Sequence, residues 1–178
     1  MHVQSERAVA VDPRLLRRTL GSFATGVTVV TVGGTEPHGM TANSFTAVSL
    51  EPPLILICVR RDAVMHRRLL HCSTFGVSVL AAHQEAVARH FASRNRPPGR
   101  EQFGTADWTT GGLSGAPLLA EAAARLECEV WQTYEGGDHS IFLGRLLSFD
   151  RRPDTDVLLF LNGRFGQLDR EAAVDLTT

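Results

Sequence analysis

The chain has 178 residues, 43% of them hydrophobic, the size of one domain built on one full core. Its 18 Lys plus Arg against 19 Asp plus Glu leave a net charge of -1, too weak a field to gather nucleic acid or an anionic membrane, so a small molecule or a protein is the expected partner. Cys58, Cys72 and Cys128 are odd in number and lack CxxC spacing, no apolar run reaches the ~20 residues of a membrane span, and residues 1–10 lack a signal-peptide core, so a reducing, cytoplasmic location is expected.

In chain order, residues 1–11 are expected to be a flexible leading segment, 12–168 the domain and 169–178 a tail. Asp12 before Pro13 pairs an N-cap with a first-turn proline, and Leu16, Leu20 and Phe23 recur on one face, predicting a short amphipathic helix. Residues 26–32 are β-branched and alternating, Gly33-Gly34 can turn, and residues 40–50 carry the chain back, which predicts a hairpin. After the break at Glu51-Pro52-Pro53, the apolar run 54–59 predicts a central strand buried on both faces. Asp62 is placed to cap a helix ending near Leu70, residues 75–80 predict a strand, and 83–93 a helix. Asn95-Arg96-Pro97-Pro98-Gly99 and the Gly-rich stretch 111–117 predict an irregular excursion over 95–117, of the kind that lines sites. Residues 123–134, a turn at Glu135-Gly136-Gly137, then 140–149 and 157–165 predict three strands, the first two a hairpin.

This order lacks the regular strand and helix alternation of a doubly wound sheet, and predicts a mainly β fold: a closed or partly closed antiparallel barrel with peripheral helices. There is no GxGxxG, no GxxxxGK[ST] and no GxSxG, so neither those phosphate loops nor a hydrolase elbow is present. His66, His71 and Cys72 lie close in sequence, but His66 and His71 are five apart, about 500° around a helix, and share no face. No metal site is expected.

The run Gly39-Met40-Thr41-Ala42-Asn43-Ser44-Phe45, then Val48-Ser49-Leu50-Glu51-Pro52-Pro53-Leu54 and Cys58-Val59, closely resembles the flavin reductase-like family. These proteins are the small reductase components of two-component flavin monooxygenases, and their fold is the flavin-binding split barrel. Agreement extends to Phe23-Ala24-Thr25-Gly26-Val27, Phe75-Gly76-Val77-Ser78-Val79-Leu80, Phe91-Ala92 and Gly137-Asp138-His139, over roughly residues 12–168. The resemblance implies an NAD(P)H-dependent reductase that passes hydride to FAD or FMN, and the near-neutral charge without a clear basic cluster for a ribose 2′-phosphate favours NADH over NADPH. It also implies a homodimer that supplies reduced flavin to a flavin-dependent monooxygenase or halogenase. The alternative is a split-barrel module that holds flavin without turning over NADH; Gly137-Asp138-His139 favours the enzyme.

Hydride transfer between two cofactors asks the protein for no nucleophile, only stacked rings and hydrogen bonds to the flavin edge. Thr41, Ala42, Asn43 and Ser44 offer two hydroxyls, an amide and accessible backbone N–H groups, and the family match lays them along the flavin; taken alone they also suit a polar strand end. The match places Cys58 and Val59 beside the ring through their backbone, though a buried free cysteine also serves as a small hydrophobe, and no reactive thiol is expected. Arg60 and Arg61 are open to two readings, a solvated pair or a flavin phosphate contact. Phe91, Ala92, Ser93 and Arg94 close a helix, where the guanidinium suits either a flavin phosphate or the helix C-terminus. Gly137, Asp138 and His139 fall on a hairpin tip, and the resemblance puts the histidine by the nicotinamide; a turn histidine without a ligand is the other reading. Near the C-terminus the family often carries tyrosines around a glycine, whereas this chain reads Leu161-Asn162-Gly163-Arg164-Phe165-Gly166, leaving Arg164 as a weak nicotinamide candidate.

Overall fold

The computed structural model describes residues 12–168, so the expected leading segment and tail lie outside the described residues. Helix α1 (Pro13–Gly21) starts as its sequence dictates: Asp12 Oδ1 accepts from Arg14 N at 2.8 Å and Pro13 occupies the first turn. After it come β1 (Thr25–Gly26), β2 (Thr28–Val32), β3 (His38–Ala42), β4 (Thr46–Leu50), β5 (Pro53–Arg60), α2 (Val64–Leu69), β6 (Thr74–Val79) and α3 (Glu85–Ala92). The chain ends in β7 (Trp108–Thr110), β8 (Pro117–Leu119), the long hairpin β9 (Ala124–Gly136) and β10 (His139–Arg151), and the short β11 (Leu159–Leu161) and β12 (Arg164–Gly166).

Seven strands form one antiparallel sheet in the order β3-β2-β6-β9-β10-β5-β4. Strands β3 and β4 are thus its opposite edges, yet only Asn43, Ser44 and Phe45 join them. Six inter-strand steps of about 4.8 Å would hold flat edges about 29 Å apart. Four Cα–Cα steps, from Ala42 to Thr46, span at most about 15 Å. The sheet therefore has to curl until its edges nearly meet, and the three linking residues bridge the split. That is the physical content of the split barrel expected from the sequence.

Residues 40–50 are consequently two strands rather than the one expected: the first half pairs with β2 as predicted, and the second crosses the split to pair with β5. Strand β2 is buried along its whole length, with Val30 and Val32 in the barrel core beside Ile57, Phe75 and Phe142, and Val29 in a second cluster with Leu80, Phe91, Phe103 and Leu158. Strand β5 was the one expected to be buried on both faces. Its Ile55, Ile57 and Val59 are buried, but Leu54, Leu56 and Cys58 on the other face are only half-buried. Opposite them in register lie Arg145, Leu143 and Ile141 of β10, so a largely apolar sheet face is left partly open in a single chain.

Four smaller departures concern ends and loops. Asp62 does not cap α2; its N-cap is Ala63, without a side-chain hydrogen bond, and the Asp62 carboxylate turns to arginines instead. The helix expected over 83–93 begins as a 3₁₀ turn, Ala82–Gln84, before α3. The excursion 95–117 is ordered by a 3₁₀ turn, Gly99–Phe103, and by β7 pairing with β8. Residues 157–165 are a hairpin end rather than one strand, since Asn162 (φ 49°) and Gly163 (φ 78°) adopt the left-handed conformation of a two-residue turn between β11 and β12.

The loop 111–116 is held by one buried carboxylate. Glu127 Oε2 accepts from Leu113 N at 2.9 Å, Ser114 N at 2.6 Å and Ser114 Oγ at 2.7 Å, while Oε1 accepts from Ser148 Oγ at 2.8 Å. Burial pushes this carboxyl up, but the donors of Ser114, Ser148 and Leu113 outweigh it and hold the pKa below its ordinary value. Nothing in the sequence pattern distinguished Glu127 from its surface neighbours.

Candidate active site

A cleft of about 620 Å³ opens at the split, in the size range of small-molecule sites. One wall is the end of β3 with the link, presenting Thr41, Ala42, Asn43 and Ser44; beside it stand Cys58 and Arg60 of β5 and the start of α2. The other wall is the end of α3 with Phe91, Ala92 and Arg94, continued by Arg96, Pro97, Pro98 and Gly99, and His139 at the start of β10 completes the rim.

The walls are fixed from behind. Ser44 Oγ donates to Cys58 O at 2.9 Å and accepts from Cys58 N at 3.0 Å, locking the link onto β5. Thr41 Oγ1 donates to Ala88 O at 2.6 Å, tying β3 to α3. Both hydroxyl hydrogens are thereby engaged, so a ligand meets the Asn43 amide, hydroxyl lone pairs and backbone amides that lie outside the two ladders. Gly39 explains how closely α3 approaches: a Cβ there would stand 2.7 Å from Phe91 Cε1. Burial keeps the Cys58 thiol's pKa above its ordinary value, in line with a packing and backbone role.

The 94–99 wall hangs on Arg96 and Gln102. Arg96 donates to the carbonyls of Gly39 and Ser93 and lies 3.2 Å from His38 Nε2. Burial, then Arg96 and Arg68, push His38 down to about 4, so it is neutral at physiological pH and leaves Arg96 its full charge without a like-charged neighbour. Buried Gln102 accepts from Gly39 N at 2.9 Å and donates to Pro37 O at 3.0 Å and Gly99 O at 2.8 Å. On the opposite side His66 is buried, its Nε2 2.8 Å from Ser140 Oγ and its ring edge-on to Phe142, which joins α2 to β10 behind His139.

Of the candidate residues, Thr41, Ala42, Asn43, Ser44, Cys58, Arg60, Phe91, Ala92, Arg94 and His139 come together around this cleft. Val59 points into the barrel core. Arg61 does not line the cleft; its guanidinium lies 3.3 Å from Glu135 and its N–H donates to Asp138 O, bracing the hairpin tip. Ser93 contributes its carbonyl to Arg96 rather than a side chain to the cleft. Gly137 takes the φ of 71° that the tip requires, and Asp138 Oδ1 lies 2.8 Å from His139 Nδ1. Arg164 is not brought to the cleft within one chain; it lines a separate open groove with Ala24, Leu159 and Phe165.

Sequence reasoning missed His38, Asp62, Arg68 and Arg96 among the lining residues. Only Arg96 carried a signal, the proline-rich loop. The cleft is cationic at its mouth, where Asp62 is the one carboxylate among the lining residues against Arg60, Arg68, Arg94 and Arg96. A flat ring system with a polyol and a phosphate fits this donor set: small residues and amides along one wall, guanidinium groups at the end.

The family model described as flavin reductase like domain matches residues 20–169. The chain belongs to the flavin reductase-like family. It is 59% identical over 168 residues to the NADH-dependent FAD reductase of Streptomyces globisporus, covering 93% of this chain and 92% of that protein. The structure of the S. globisporus C-1027 NADH:FAD oxidoreductase SgcE6 in complex with NAD and FAD fragments superposes with a TM-score of 0.86 at 56% identity, covering 93% of this chain and all of that one. BorF, the flavin reductase component of a bacterial two-component tryptophan halogenase, gives a TM-score of 0.85 at 56% identity over 89% of this chain. The fold of this flavin reductase-like chain is therefore shared along almost its whole length.

Proposed function

We propose that the chain is an NADH-dependent flavin reductase that binds FAD or FMN at the barrel split, works as a cytoplasmic homodimer through residues 12–168, and hands reduced flavin to a flavin-dependent monooxygenase or halogenase. The observation that carries this is the cleft itself, with a wall of Thr41, Ala42, Asn43 and Ser44 facing Phe91 and Ala92 and a cationic mouth, in a chain so similar to an NADH-dependent FAD reductase. Between the two flavins, that similarity favours FAD. NADH is preferred over NADPH because the relatives that the chain resembles over nearly their whole length are NADH-dependent.

When bound, flavin and nicotinamide supply the hydride chemistry between themselves. The chain's residues bind, orient and exclude water. The Asn43 amide and the link's backbone amides would hydrogen-bond the flavin edge, and Arg60 and Arg94 would take the phosphate. The hydrogen bond and the positive charge of His139 hold the Asp138 carboxyl below its usual range, so Asp138 accepts from Nδ1–H. With Nδ1 engaged by Asp138, Nε2 is the ring nitrogen left to hydrogen-bond the nicotinamide carboxamide. Replacing His139 by Ala raises the KM for NADH about tenfold while leaving the KM for flavin within twofold. An unchanged KM for NADH in steady-state kinetics removes His139 from the nicotinamide site.

The homodimer is supported by what a single chain leaves open. The face of β5 and β10 carrying Leu54, Leu56, Ile141 and Leu143 is half-buried, α1 buries none of its residues, with Leu15 and Leu20 strongly exposed, and Phe23 just after it is exposed too. Cys58 sits on the same sheet face, so a second copy packed there borders the cleft. No helix among the described residues is long and apolar enough to cross a membrane.

A further inference from the structure

We infer that Asp62 is a displaceable counter-ion that loosens the chain's hold on the flavin phosphate and so favours release of the reduced flavin. This rests on the flavin assignment above and adds to it a residue that binds no part of the flavin.

Three observations lead there. Asp62 Oδ2 lies 2.8 Å from Arg60 Nη2 and 3.8 Å from Arg94 Nη2, so one carboxylate bridges cations from the two walls of the cleft mouth. The fold does not use that carboxylate for α2, whose N-cap is Ala63 without a side-chain bond. All three side chains are about half exposed or more, which makes their pairing weak enough to exchange for another anion. Of the other lining cations, Arg96 is held by the carbonyls of Gly39 and Ser93, and Arg68 pairs with Glu36 at 3.2 Å rather than with Asp62. Arg60 and Arg94 are therefore the pair that a phosphate would engage, and Asp62 is the anion it must displace and then face.

A phosphate monoester or diphosphate carries more charge and more acceptor oxygens than a carboxylate, so it wins the arginines when flavin enters. Asp62 stays beside it as a like charge and recaptures both guanidinium groups as the flavin leaves. An enzyme that passes its product on gains from such a bias, because tight holding of reduced flavin would slow its transfer. Asp62 is thus a positioning residue, acting through Arg60 and Arg94.

The test is isothermal titration of FMN, FAD and riboflavin into the wild-type chain and into Asp62→Asn, at low and at high salt. Asp62→Asn keeps the side chain's size and removes its charge at a half-exposed position. The expected result is a Kd for FMN and FAD lowered about three- to tenfold at low salt, less at high salt, with riboflavin, which lacks phosphate, unchanged. In the Arg60→Gln, Asp62→Asn double variant the gain shrinks. A purely structural effect would move riboflavin together with the phosphorylated flavins, and that result overturns the proposal. Unchanged or weakened FMN and FAD binding overturns it as well, and leaves the flavin assignment standing if the wild-type chain binds flavin. A wild-type chain that binds none of the three overturns both.

Discussion

Glu127 shows how much one residue can carry away from the chemistry. Its two oxygens take four hydrogen bonds from Leu113, Ser114 and Ser148 and fasten the 111–116 loop to β9 and β10. A carboxamide in its place presents an N–H₂ where only acceptors are wanted. Glu127→Gln should therefore lower unfolding free energy by about 1–3 kcal/mol in denaturant titration. The pH dependence has a definite sign. Because the folded carboxyl titrates below its ordinary value of 4.5, its contribution is complete above that pH and is lost as pH falls through the lower folded value. The acid limb of a stability profile should accordingly be shallower in the variant than in the wild type. Equal limbs would show that folding does not shift the Glu127 carboxyl.

At the scale of elements, the loop that Glu127 holds is also wedged against the β2–β3 turn. A Cβ on Gly33 would stand 2.2 Å from Gly115 O, backbone against backbone, so only glycine admits this contact. Gly33→Ala should cost about 1–3 kcal/mol in the same titration, with faster hydrogen exchange across 111–116; a change below half a kcal/mol would mean the loop yields freely. The two glycines Gly33-Gly34 announced a turn in the sequence, and the hairpin β2–β3 follows. What the sequence did not announce was the contact behind it, since Gly115 is far along the chain. Local signals of this kind were legible: Asp12-Pro13 for α1, the β9–β10 turn, the β-branched run of β2, though β2 is buried on both faces and not on alternate residues. Residues 40–50 and 157–165 were misread as single strands because each apolar, β-prone run hides a turn, at Asn43-Ser44-Phe45 and at Asn162-Gly163. The cleft was half legible for the same reason. Thr41 to Ser44, Cys58, Phe91 and His139 stood in recognisable motifs, whereas Asp62, Arg68 and His38 join only when the sheet curls.

For the whole molecule, the closure that brings β3 to β4 also decides what remains uncovered. Strand β5 reads in the sequence as buried on both faces, and a single chain satisfies only one of them. The proposed second copy, laid over Leu54, Leu56, Ile141 and Leu143, would reconcile the two. The chain should sediment as a dimer at micromolar concentration. Leu56→Lys, which puts a charge at the centre of that face, should shift it to monomer and weaken flavin binding through neighbouring Cys58 and Ser44. A wild-type chain that sediments as a monomer would place the open face outside any self-contact.

The proposed reduction of flavin by NADH at the barrel split joins all three scales. Steady-state oxidation of NADH and NADPH by the purified chain, with FAD, FMN and riboflavin in turn, tests it most directly. The account predicts NADH oxidation that depends on added flavin, is strongest with FAD or FMN, and is slower with NADPH. Absence of oxidation of either nucleotide with both FAD and FMN would contradict it.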